Sequence, residues 1–283
     1  MSSSRIPVLK TYKLYIGGAF PRTESGRYLP FAAPSGRVLA NICHASRKDA
    51  RDAVKAARAA FPGWSGASAY LRGQILYRLA EMLEARAEAF AAELKAQGQP
   101  LPAARKEVQA AVDLLVHYAG WTDKVQQVFS SVNPVASSHF NFSMQEPTGV
   151  VAAVAPDRPG LGGLVGLLAP ALAGGNTVVA AASETFPLTA ITLAEAIHSS
   201  DVPGGAVNIL TGVRNELLAP LAAHMDVNAV VYAAEDGAAW AEARVQAAEN
   251  VKRMIRRAPA APPSPYAILD TLETKTTWHP VGV

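Results

Sequence analysis

Four short apolar runs in the second half of the chain constrain its fold more than any other feature. They are Val150–Ala155, Thr177–Ala182, Ala206–Leu210 and Ala229–Ala233. Helical patterns separate them at Leu161–Ala173, Pro187–His198 and Asn215–Ala223. Strand and helix alternating at this spacing predict βαβ units and a parallel sheet covered on both faces. Ligands of such sheets bind outside the carboxyl ends of the strands, where the strand order reverses. Val154–Pro159 ends the first run, so it is the first place to look for a ligand.

The rest of the chain surrounds that sheet. Tyr12–Phe20 reads as a short strand and turn around Gly17-Gly18, and Arg27–Phe31 and Val38–Cys43 read as extended. Ser46 is a plausible N-cap for a helix running to about Ala60. A long helical segment, Ala67–Ala96, puts Leu71, Ile75, Leu79, Leu83 and Ala87 on one face. Gly98-Gln99-Pro100 punctuates, and helix resumes from Leu101 to about Val128, with Tyr118, Trp121 and Val125 read as core. His139–Glu146 alternates as a strand, with Phe140, Phe142 and Met144 on one face and Asn141, Ser143 and Gln145 on the other. Trp240–Arg257 reads as a further helix, Ala258–Pro265 as a proline-rich linker, and Ala267–Pro280 as a closing extended segment. The expected fold class is α/β: a helical N-terminal layer on a doubly wound, mostly parallel, Rossmann-like sheet, plus a small β flap.

Composition narrows the function classes. Half of the 283 residues are apolar and 17% are charged, with a net charge of +3. So small an excess argues against nucleic-acid or membrane binding. Arg253, Arg256 and Arg257 are basic, but no aromatic stacking set accompanies them. The opening, Met1–Lys10, has no apolar core of a leader peptide. The longest apolar run, Leu161–Ala173, is shorter than the roughly 18 residues of a membrane span. A soluble, cytoplasmic protein is expected. Cys43 is the single cysteine, which excludes an internal disulfide. His44, His117, His139, His198, His224 and His279 show no metal-ligand spacing, so no metal is expected.

Several long stretches, in order, resemble the aldehyde dehydrogenase superfamily. They include Tyr15-Ile16-Gly17-Gly18-Ala19-Phe20, Ala50–Trp64, Tyr118-Ala119-Gly120-Trp121 and Glu146-Pro147-Thr148-Gly149-Val150-Val151. Leu168–Val179, with its Gly174-Gly175-Asn176-Thr177, Pro187-Leu188-Thr189-Ala190 and Val202–Asn208 continue the series. The similarity covers about residues 12 to 257. A second match, Leu272–Trp278, resembles the family's last strand, part of its oligomerisation flap. The resemblance implies an NAD(P)-binding domain over 1–132 and 147–258, and an oligomerisation flap over 133–146 and 266–283. Residues 259–265 then stand as a linker where the catalytic domain would be.

The departures from the family pattern carry chemical meaning. The family's reaction needs a thiolate, an amide that stabilises the oxyanion, and a general base. Cys43 lies before the first helix, Arg158 stands at the amide position, and Arg257 stands where a glutamate is usual. A guanidinium cannot act as a base near neutral pH. No catalytic residue is therefore assigned. Pro156, Glu184 and Gly212 remain as cofactor-binding candidates. Ala181 replaces the ribose-binding lysine, Arg214 and Leu218 replace glycines, and Glu235, beside Asp236, replaces a pyrophosphate-binding serine. Binding of NAD or NADP is expected to be weak or absent.

The resemblance thus implies a non-catalytic subunit that assembles with a full-length aldehyde dehydrogenase, or with itself. The contact expected is strand addition by Thr271, Leu272, Glu273, Thr274, Lys275, Thr276, Thr277 and Trp278. The alternatives are an NAD(P)-dependent oxidoreductase acting on aldehydes within a complex, and a nucleotide-binding sensor.

Overall fold

All four apolar runs become strands of one parallel sheet in the computed structural model, which describes residues 8–282. Residues 1–7 of the opening segment, read above as no leader, lie outside the described residues.

The chain opens with β1 (Thr11–Tyr12), β2 (Tyr28–Ala32) and β3 (Val38–Cys43), a small sheet in the order β1-β3-β2. Helices α1 (Arg47–Ser65), α2 (Ala69–Glu84), α3 (Ala87–Ala96), α4 (Leu101–Trp121) and α5 (Val125–Phe129) follow. Ser46 caps α1 as expected, in a reciprocal capping box with Asp49. The helix runs on to Ser65, through Pro62, rather than stopping near Ala60. The long helix expected over 67–96 is two helices: Arg86 leaves helical geometry and donates to the Met82 carbonyl. Leu71 is exposed, and Leu76, Leu79, Ala80 and Leu83 form the buried stripe of α2.

Next come β4 (Ser131–Asn133), β5 (His139–Pro147), β6 (Val150–Val154), α6 (Gly160–Ala173), β7 (Thr177–Ala181), α7 (Pro187–His198) and β8 (Val207–Leu210). They are followed by α8 (Arg214–Ala223), β9 (Ala229–Tyr232), α9 (Gly237–Ala248), β10 (Arg253–Arg256), α10 (Tyr266–Leu269) and β11 (Leu272–Pro280). The main sheet has five parallel strands in the order β10-β9-β6-β7-β8. Strands β6, β7, β8 and β9 are buried throughout, as a sheet covered on both faces requires. Helices α6 and α7 share one core cluster with the sheet, and α1 and α8 share the other. The strand order reverses between β6 and β9, which is the switch point of the fold.

The structure corrects two expectations at the C-terminal end. Trp240–Arg257 is not one helix: α9 stops at Ala248, Val251 adopts φ 54°, and Arg253–Arg256 pairs with β9 as the fifth strand. No glycine or proline marks that stop. The tail is not extended throughout Ala267–Pro280 either. A short helix, α10, precedes β11, and β11 pairs antiparallel with β5 from Leu272↔Pro147 to Pro280↔His139.

Strand β5 also inverts the usual sense of alternation. Its polar residues Asn141, Ser143 and Gln145 are buried, while Phe140 and Met144 are exposed. The polar face is a hydrogen-bond ladder. Asn133 donates to Asn141 and Ser143, Ser143 pairs with Thr276, and Thr274 donates to Gln145. Among the described residues, no helix is long and apolar enough to cross a membrane.

Candidate functional site

The carboxyl edge of the main sheet brings together the ends of β6, β7 and β8. Ala155 and Asp157 follow β6, Glu184 follows β7, and Arg214 opens α8 just beyond β8. The side chain of Arg214 spans this edge. Its Nη1 donates to the Ala155 carbonyl at 2.7 Å, and its Nη2 to Asp157 Oδ2 at 2.5 Å. Its Nε and its backbone N–H donate to Glu184 Oε1 at 3.4 and 2.8 Å. The Arg214 side chain is only 13% exposed, while Asp157 and Glu184 are each 44% exposed. Burial pushes the Asp157 carboxyl up. The charge and hydrogen bond of Arg214, with help from Thr185 and Ser183, outweigh that and hold it below the usual carboxylate range.

The helix N-termini at this edge have internal acceptors. Glu107 of α4 accepts from Leu161 and Gly162 of α6 at 2.7 and 3.1 Å. Gln97 accepts from Leu188 of α7, and Glu184 from Arg214 of α8. Asp236 caps α9, accepting from Ala238 and Ala239 at 3.0 Å each and from Asn215. Those bonds, the one from Ala239 foremost, hold the Asp236 carboxyl below its ordinary range.

The sequence-predicted candidates divide accordingly. Glu184 lies in the cluster. Pro156 is buried, with its ring against Gly163, where a Cβ would come within 2.4 Å of it. Gly212 has φ 134° and packs on the backbone at His44 and Ala45, so it closes β8 against the end of β3. Sequence reasoning missed Asp157 and Glu107. The one available signal was opposite charge beyond strand ends of one sheet, Asp157 after β6 and Arg214 after β8, with β7 between them.

The residues that the resemblance sets against the family's reactive groups make contacts within the chain. Arg158 is exposed and stacks over the Phe186 ring at 5.0 Å. Arg257, 11% exposed, donates to Asp270 Oδ2 at 2.7 Å and to the Gly166 and Ala267 carbonyls. Cys43 is buried in the core, and its carbonyl accepts from Thr211. Ala181 and Leu218 are buried, and Glu235 is exposed. A cavity of about 730 Å³ lies between α4, α6 and the linker Ala258–Pro263. Glu107, His117 and Arg257 are among its polar lining groups, and burial lowers the basicity of His117. Among the described residues, no three His, Cys, Asp or Glu side chains converge as a metal set.

The comparisons with known proteins agree with the fold. Residues 22–263 match the family model described as the aldehyde dehydrogenase family. Retinal dehydrogenase 2 of Gallus gallus is 34% identical over 79% of this chain and 44% of its own length. An aldehyde dehydrogenase of Emericella nidulans is 28% identical over 98% of this chain and 56% of its own. The NAD+ complex of aldehyde dehydrogenase from Bacillus cereus superposes with a TM-score of 0.82 at 29% identity, covering 87% of this chain and 50% of that one. The chain thus spans about half the length of the relatives it matches. It belongs to the aldehyde dehydrogenase family.

Proposed function

We propose that this chain is a non-catalytic subunit that assembles with a full-length aldehyde dehydrogenase through its tail strand, Thr271 to Trp278. The observation that carries the reading is the state of β11. Strand β11 has nine residues, and it lies at the edge of its sheet, with β5 on one side and no strand on the other among the described residues. A long open edge presents N–H and C=O groups that template a further strand. Threonines at 274, 276 and 277 favour extension, while the Glu273–Lys275 ion pair and Pro280 blunt the edge only in part. Phe140, Met144 and Trp278, exposed by 46, 44 and 58%, add apolar area on the same sheet.

The reactive positions support the non-catalytic half of the reading. The single thiol is buried at the end of β3, within the small sheet, and Arg257 is committed to Asp270. In this reading uptake of NAD or NADP is weak or absent.

Co-expression with a full-length aldehyde dehydrogenase from the same source tests the proposal. The two chains co-purify, and removal of residues 271–283 separates them. A complex that survives loss of the tail contradicts it. So does a purified chain that reduces NAD with an aldehyde and still does so as Cys43→Ala.

A further inference from the structure

We propose that Arg214 is a built-in occupant of the dinucleotide cleft, and that this one side chain sets the chain's refusal of NAD and NADP. The inference accounts for the weak cofactor uptake in the reading above, but it does not depend on the proposed partner.

The argument starts from what a dinucleotide needs at such an edge. It needs hydrogen-bond acceptors for ribose hydroxyls, and free backbone N–H groups at a helix N-terminus for the pyrophosphate. Both kinds of group are present here, and each already makes bonds within the chain. Glu184 Oε1 accepts twice from Arg214, and the Ala155 carbonyl and Asp157 accept from the same guanidinium. The α9 N-terminus is filled by the carboxylate of Asp236, and the α6 N-terminus by that of Glu107. An incoming pyrophosphate would meet two anionic oxygen sets in place of N–H donors.

The guanidinium differs from these caps in kind. A cap satisfies its own helix locally. Arg214 instead crosses from α8 to the ends of β6 and β7, and its planar fork matches two carboxylates and a carbonyl at once. It does so largely shielded from water, at 13% exposure. The side chain therefore lies across the ends of β6 and β7, next to the switch point between β6 and β9. A dinucleotide seated there would have to displace it, leaving Asp157 and Glu184 without their cation. The residues as placed do not fit a bound dinucleotide.

Removing the guanidinium frees the Ala155 carbonyl and both carboxylates together. Asp157 and Glu184 are half exposed, so water can take up their lost bonds and the fold tolerates the change.

The test is calorimetric titration of the isolated chain with NAD and with NADP, comparing the wild type with Arg214→Ala. The variant binds at least one dinucleotide about tenfold more tightly than wild type or better, the worth of one regained charge-assisted hydrogen bond. Guanidinium ion at millimolar concentration weakens that binding by refilling the vacated position. It raises the melting temperature of the variant and not of the wild type. Asp157→Asn loosens the clamp without touching α8, moves affinity in the same direction, and decides the matter if Arg214→Ala does not fold. Wild-type affinity equal to that of the variants overturns the proposal. So do folded variants that bind no more tightly than wild type. Neither result bears on the tail strand, because no partner is present.

Discussion

Arg257 and Asp270 form a 2.7 Å ion pair that ties the end of β10 to the helix preceding the tail strand. The same guanidinium holds the Ala267 carbonyl of α10 and the Gly166 carbonyl of α6. Where the family resemblance would put a base, this chain has a clamp that orders its C-terminal end. Arg257→Ala removes a largely buried charged donor from three acceptors, though Asp270 stays 41% exposed and can hydrate. Stability should fall by about 1–3 kcal/mol. Urea denaturation checks this as a lower midpoint at unchanged slope.

Asn176 is the second anchor of the tail and is fully buried. Its Oδ1 accepts from Gly149 N–H at 3.0 Å and from Thr148. Its Nδ2 donates to the carbonyl and hydroxyl of Thr271 at 3.0 and 3.1 Å. One amide thus joins the starts of β6, β7 and β11. Asn176→Ala leaves several of these groups buried without partners, so a loss of about 2–3 kcal/mol is expected. Proteolysis should also open the tail in this variant before the main sheet.

Both anchors show what the sequence could and could not convey. The β6–β9 strands and the helices between them were legible because apolar runs and helical periods report burial directly. Strand β10 was not, because Arg253-Met254-Ile255-Arg256 is an edge strand with charged ends, and the preceding helix stops at Ala248, ahead of the turn at Val251, with no glycine or proline. The resemblance joins the tail to residues 133–146 as one flap, but the register of β11 on β5 was not legible: 124 residues lie between Pro147 and its partner Leu272, and register is a long-range property. At the site, Glu184 and Arg214 stood out separately as departures. Their bond to each other, and to Asp157, depends on how α8 is set against the strand ends.

Lys252 gives a pH signature. Burial lowers its basicity to about 8, against an opposing pull from Asp226, and its ammonium donates to Asn250 Oδ1 at 2.5 Å. A depressed lysine costs stability while it is charged in the folded state. The unfolded chain binds more protons between pH 8 and the usual lysine range, so its contribution to stability rises with pH across that window. Lys252→Met lacks this contribution. Its stability advantage over wild type should therefore shrink as pH climbs from 8 to about 10. Parallel denaturation series of the two proteins check this, and a constant difference would speak against the assignment.

The central claim is that the open edge of β11 receives a strand from a full-length aldehyde dehydrogenase, and hydrogen exchange reads that edge directly. In the free chain, amides of Leu272–His279 that face β5 exchange slowly and those on the open side exchange fast. On mixing with the full-length enzyme, the fast set should become protected while the set facing β5 stays as it was. A complex that forms with the exchange of Leu272–His279 unchanged would contradict the account.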